Sequence, residues 1–213
     1  MEKICLFGGT GKTGQHVAKE LLSRGYEISI LTRSGRKLDS KEGGVNQTNF
    51  VIGDILNKND VFAAMLDCDA VISVVGHTKK SDPRMQTRGI KNIIDAMGFY
   101  KIKRLVSLTG TGVRQPEDEI SLIDRIANYL IHKIDPARIE DGIEHAKIIA
   151  ESDVSWTILR VLKLSNSKTK VGKYKLCLGC RSELFSSRIK VAKILVDLTE
   201  ANEFNRKMPV ISK

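Results

Sequence analysis

Apolar residues along the chain alternate between two spacings. Short, nearly continuous apolar runs at 3–7, 27–32 and 70–75 suit strands buried on both faces. Within 87–97, Ile90, Ile93, Ile94 and Met97 instead fall at i, i+3, i+4 and i+7, one stripe of a helix facing a sheet. The whole chain reads as strands at 3–7, 27–32, 50–52, 70–75, 103–108 and 156–160. Helices are predicted at 14–23, around 60–66, near 87–97, at 121–134 and at 136–150. Asp135 and Pro136 separate the last two helices, the first as cap and the second at the opening helical position. The tail adds a strand at 173–178, a helix at 188–198 and a strand at 207–211.

Strand and helix alternating this way require a parallel sheet covered on both sides. The expected fold is therefore α/β, a doubly wound, mostly parallel sheet. At 213 residues, with no linker, repeat or change of composition, one domain over 1–213 is expected. Apolar residues at 41% and charged residues at 28% exclude a disordered or collagenous chain. No apolar run approaches a membrane span, and the opening residues enter a strand at once, leaving no room for a signal peptide. A cytoplasmic protein with no membrane partner is expected.

The stretch between the first strand and first helix changes the picture most. Phe7 is followed by Gly8-Gly9-Thr10-Gly11-Lys12-Thr13-Gly14, which satisfies G-x-G-x-x-G at 9, 11 and 14 and G-x-x-G-x-x-G at 8, 11 and 14. Glycine lets the chain turn tightly and its backbone approach a pyrophosphate, and the amides at the helix start receive the phosphates. Strand before and helix after make this a dinucleotide site. A nucleoside triphosphate loop ending Gly11-Lys12-Thr13 would need glycine at position 6, which is Leu6. About 20 residues on, where an acid would bind the ribose of NAD, the chain reads Leu31-Thr32-Arg33-Ser34, with Arg36 and Lys37 behind. A cation there suits a 2′-phosphate, so NADP(H) is favoured over NAD(H).

The formal charge of +10, from 35 Lys and Arg against 25 Asp and Glu, favours anionic partners. The basic residues are dispersed and no nucleic-acid motif accompanies them, so a phosphate-bearing small molecule ranks above nucleic acid. Four cysteines, at 5, 68, 177 and 180, read as reduced thiols. Cys177-x-x-Cys180 is half a zinc site without a second half, so it reads as structural, and no metal is expected. His16, His77, His132 and His145 have no metal-ligand spacing, and His77, directly after Gly76, could face the pocket mouth but reads as a solvated loop residue.

The glycine loop, together with Thr32-Arg33-Ser34, Gly53-Asp54-Ile55, Val74-Val75-Gly76, Ser107-Leu108-Thr109 and 151–160, resembles the atypical short-chain dehydrogenase/reductase proteins with NAD(P)-binding Rossmann folds. The resemblance is greatest to the biliverdin-IXβ/flavin reductase and NmrA-like branch. It implies that Asp54 and Ile55 flank the adenine, that Val75 and Gly76 line the ribose side of the cofactor, and that Thr109 approaches the nicotinamide. Asp54 also reads as a turn residue after the third strand. Many relatives use a Tyr-x-x-x-Lys pair. Tyr129 and Lys133 have that spacing, but the expected register falls on Arg138 and Gly142. Tyr129 also belongs to an apolar stripe with Leu122, Ile123, Ile126 and Leu130, which points to core packing. The dyad is not assigned, leaving Thr109 and Lys163 as catalytic candidates. Relatives often carry proline or glycine after the sixth strand's arginine, whereas this chain reads Arg160-Val161-Leu162-Lys163.

The expected activity is transfer of a hydride from NADPH to a small electron-poor acceptor such as a flavin or quinone, by a monomer or homodimer. The alternative is a non-catalytic NADP-binding sensor or assembly factor of NmrA type.

Overall fold

The computed structural model describes residues 2–35, 47–78, 81–167 and 171–212. In chain order the elements are β1 (Lys3–Phe7), α1 (Gly14–Ser23), β2 (Glu27–Thr32), β3 (Thr48–Ile52), α2 (Lys58–Met65), β4 (Ala70–Ser73) and α3 (Met85–Tyr100). They continue with β5 (Arg104–Gly110), α4 (Leu122–Ile134), α5 (Pro136–Glu151), β6 (Ser155–Val161), β7 (Leu164–Ser165), β8 (Lys175–Cys177), β9 (Ser186–Ser187), α6 (Arg188–Glu200) and β10 (Val210–Ser212).

Eight strands form one sheet in the order β3-β2-β1-β4-β5-β6-β10-β8. All neighbours are parallel except β8, which runs antiparallel to β10 at the edge. This is the doubly wound α/β fold expected from the apolar spacing, with the reversal of strand order between β1 and β4. The sheet buries both faces, so each strand divides its side chains by the pleat. From β1, Ile4 and Leu6 enter the core beneath α1 and α6, with Val17, Leu21, Ile194 and Leu195. Cys5 and Phe7 enter the opposite core beneath α2, α3 and α5, with Met65, Ile93, Met97 and Ile149.

Helix ends follow local chemistry. Asn57, Ser121, Asp135 and Ser187 each accept a hydrogen bond from an amide in the first turn of α2, α4, α5 and α6. Arg104 ties the end of α6 to the sheet, donating to Leu198 O and Ala201 O as well as to Thr157 Oγ1. A second guanidinium, that of Arg160, is fully buried, donating to Met208 O at 2.9 Å, Val113 O at 3.0 Å and the Asp118 carboxylate. Burial would raise the Asp118 pKa, but hydrogen bonds from Arg160 and the Gln115 amide outweigh it and hold the carboxyl below its ordinary value.

Three expectations are corrected. Helix α4 is inverted: Asp124 and Asn128 face inward, with Thr111 Oγ1 donating to Asp124 at 2.7 Å and Asn128 Nδ2 donating to it at 2.7 Å. The apolar stripe therefore faces outward, and Tyr129 is 61% exposed rather than packed in the core. Secondly, Cys177 and Cys180 are joined as a disulfide rather than held as thiols. The turn at Gly179, with φ of +73°, brings the two Cα atoms to 6.0 Å; Cys5 and Cys68 are free and buried. Thirdly, the final strand starts at Val210, and a short parallel pair, β7 with β9, occupies a stretch where no strand was predicted. Among the described residues no helix is long and apolar enough to cross a membrane.

Candidate functional site

The cofactor-binding candidates from the sequence gather at the carboxyl edge of the sheet, around the reversal between β1 and β4. In doubly wound sheets this crevice receives ligands. The glycine loop closes it from β1. Gly8 has φ of +80°, and a Cβ built there would lie 3.0 Å from the backbone of Val74. Gly11 N donates to Gly8 O at 3.0 Å, making the tight turn. Gly9 is pressed against Ile30, whose Cγ2 would stand 2.9 Å from a Cβ. Gly14, the first residue of α1, lies against the Gly8 carbonyl.

Thr13 occupies the cap position of α1, but its side chain makes no capping hydrogen bond, and no acidic residue lies in the first turn. The start of α1 thus presents backbone amides and the positive end of the helix dipole beside a loop that only glycine can form. Lys12 is exposed at the lip, and Thr10 O accepts from Gln15 Nε2 at 3.4 Å. This cradle fits a pyrophosphate, so the donors present match the dinucleotide that the motif implies.

Arg33 lies exposed just past β2, where the ribose end of such a ligand would lie; Arg36 and Lys37 fall outside the described residues. After β3, Asp54 Oδ1 accepts from Leu56 N at 2.9 Å and Asp54 N donates to Asp60 Oδ2 at 2.8 Å, so this carboxylate does serve a turn. Ile55 packs over Gly89 of α3, where a Cβ would come within 2.9 Å of it. After β4, Val75 is half-buried and Gly76 exposed; Val75 O accepts from Gln86 Nε2 at 2.8 Å.

Thr109, near the end of β5, is buried, and the neighbouring helix meets it at Gly142: a Cβ there would stand 3.6 Å from Thr109 Oγ1. The α5 position nearest this hydroxyl thus has no side chain at all, and Arg138, one turn earlier, is exposed. Tyr129 and Lys133 stack with each other on exposed α4, the ammonium 5.8 Å from the ring centroid. Lys163 also stands apart, exposed with its ammonium 5.2 Å from the Phe185 ring centroid.

The sequence reading missed one pair. His77 is not a solvated loop residue: its side chain is 9% exposed and Nε2 lies 2.7 Å from Oδ2 of Asp141, which is wholly buried. That carboxylate also accepts from Gln86 N at 2.8 Å and Thr87 N at 2.9 Å, the first-turn amides of α3. Arg84, in the cap position of α3, offers no side-chain bond, so Asp141 of α5 caps that helix from outside. Asp141 directly precedes Gly142, and this adjacency, with His77 after Gly76, was the available signal. Nearby His145 is fully buried, with Nε2 3.0 Å from Ser107 Oγ. Burial pushes its pKa down to about 4, against the Gln86 carbonyl and the Asp141 charge, which raise it.

Known proteins share this fold. Among solved structures, a short-chain dehydrogenase/reductase from Veillonella parvula in complex with NADP superposes with a TM-score of 0.82 at 18% identity, covering 100% of this chain and 94% of that one. ChuY, an anaerobillin reductase from Escherichia coli O157:H7, gives 0.78 at 18% identity, covering 98% and 96%. At this identity the likeness is one of fold. A phenylcoumaran benzylic ether reductase from Pyrus communis is 28% identical over 104 residues, 46% of this chain and 34% of the relative. The chain thus spans about a third of the length of that curated relative. A family model described as NAD(P)H-binding matches residues 8–202, through the glycine loop and six of the eight strands of the sheet, and the chain belongs to that family of NAD(P)-binding Rossmann-fold proteins.

Proposed function

We propose that this protein is an NADPH-dependent oxidoreductase acting on a small electron-poor acceptor, a flavin, quinone or similar ring system. The observation that carries the reading is the start of α1, which has neither side-chain cap nor acid and is walled by Gly8, Gly11 and Gly14, whose Cβ positions are filled by backbone. Such a site holds a diphosphate by amide donors and the helix dipole. Arg33 at the end of β2 favours the 2′-phosphate of NADP(H) over the bare ribose of NAD(H). Asp54 and Ile55 would border the adenine, Val75 and Gly76 the ribose side, and Thr109 the nicotinamide end.

Bound there, the reduced dinucleotide supplies a hydride to the acceptor. The chain's part is to orient the two rings against each other at the nicotinamide end of the site. Thr109 carries the hydroxyl nearest that end, while Lys163, engaged with Phe185, is the weaker of the two catalytic candidates.

A second reading, a non-catalytic NADP-binding sensor, is favoured by one observation: the helix facing Thr109 carries neither tyrosine nor lysine at 138 and 142. Steady-state NADPH oxidation with flavin mononucleotide and menadione separates the two. Turnover supports the reductase, whereas tight NADPH binding by calorimetry with no turnover by either acceptor supports the sensor.

A further inference from the structure

The pair His77 and Asp141 has a chemistry that hydride transfer alone does not use. The carboxylate, wholly buried, accepts from two first-turn amides of α3, one at each oxygen. With both oxygens accepting, Nε2 of His77, 2.7 Å away, is placed to donate to Oδ2. This bond holds the ring in one orientation.

The other ring nitrogen, Nδ1, faces Ser81 Oγ at 3.4 Å. Ser81 Oγ donates to Thr78 O at 2.9 Å and accepts from Thr78 N at 3.0 Å. With the serine hydrogen directed to Thr78, Nδ1 is the ring atom at which a proton arrives and leaves. The arrangement has the logic of an acid–base pair: a buried anion orients one nitrogen while the second exchanges protons.

Its position is equally specific. Asp141 is bonded in sequence to Gly142, which faces Thr109, and Gln86, whose amide holds Asp141, also binds Val75 O beside Gly76 and His77. The pair thus borders the Thr109 end of the site, where an acceptor ring would stand.

We propose that His77, oriented by Asp141, is the proton donor to the reduced acceptor, so that the preferred acceptors are those whose reduced form must be protonated, such as quinones and conjugated carbonyl systems. This rests on the hydride-transfer reading above. The acceptor gains the hydride at one atom and, at its oxygen, the proton from Nδ1. The Nδ1–H bond breaks with its electron pair remaining on nitrogen, and His77 regains a proton from water. The sum is reduced nucleotide, acceptor and one proton giving oxidised nucleotide and the dihydro acceptor. Asp141 is a positioning residue, and His77 is the group that touches the acceptor.

The test compares menadione, whose reduction leaves an oxyanion to be protonated, with flavin mononucleotide, whose reduced ring persists as an anion. H77Q keeps an amide donor toward Asp141 while removing the exchangeable proton. It should lower kcat with menadione about 100-fold more than kcat with flavin mononucleotide, the scale of general acid catalysis. Imidazole nitrogen NMR of the wild type without nucleotide should show Nε2 protonated, with D141N changing that signal. Turnover of menadione by H77Q at the wild-type rate would overturn the donor role, as would equal losses with both acceptors accompanied by weakened NADPH binding. Absence of wild-type turnover with both acceptors would instead remove the hydride reading and the donor role with it, while NMR would still report the pair.

Discussion

A Cβ on Gly14 would stand 2.0 Å from the carbonyl oxygen of Gly8. The first turn of α1 is thereby pressed onto the loop that precedes it, and the amides facing the crevice are held at one spacing. Gly14→Ala must displace backbone, at about 1–3 kcal/mol by the usual scale of overpacking. The expected outcome is a lower urea midpoint and NADPH affinity reduced beyond what the lost stability explains. Wild-type affinity by calorimetry would show that the dinucleotide binds elsewhere.

Arg33 tests the choice of nucleotide. Removing a charge-assisted hydrogen bond to a phosphate should reduce NADPH affinity by roughly 10-fold or more while NADH affinity changes little. Arg33→Ala with an unchanged NADPH to NADH affinity ratio would refute the 2′-phosphate assignment.

His145 makes stability depend on pH. Its folded pKa is about 4 against an ordinary 6.5, burial being the main cause. In the window between these values the unfolded chain binds the proton and the folded chain does not, so stability falls as pH falls from 6.5 toward 4. The loss approaches about 3 kcal/mol across the window. Urea denaturation from pH 7 to pH 4.5 should show a shallower decline in H145N than in wild type; parallel declines would assign the acid sensitivity to other groups.

Arg160 and Asp118 form an ion pair whose cation is buried, its side chain 1% exposed. Arg160→Met leaves the Asp118 carboxylate without its main partner, and breaking such a pair costs about 3–5 kcal/mol. A drop of this size in unfolding free energy is expected, and a change below about 1 kcal/mol, by the same measurement, would mean that water replaces the guanidinium.

Tyr129 and Lys133 are expected to matter little despite their spacing. Both are exposed on α4, so Tyr129→Phe and Lys133→Met should each shift stability by less than about 0.5 kcal/mol and leave NADPH turnover at the wild-type rate. A 100-fold loss of turnover in either would restore the dyad and displace His77.

The amino-acid sequence by itself determined the alternation of buried strands and one-faced helices, because the periods of two and 3.6 are set within a few residues by backbone geometry. It determined the phosphate cradle for the same reason: Gly8 to Gly14 act over one turn, and only glycine fits each tight position. What the tertiary structure alone decided depends on distant partners. Helix α4 has a clear apolar stripe, yet it turns Asp124 inward because Thr111, Arg114 and Asn128 offer it hydrogen bonds, and no periodicity records that competition. Cys177 and Cys180 likewise meet through a left-handed turn at Gly179. His77 and Asp141 are 64 residues apart, and either alone reads as an ordinary polar residue. Only when the loop after β4, the start of α3 and α5 come together does a carboxylate that must be satisfied inside the protein find two amides and an imidazole, since burial penalises every alternative.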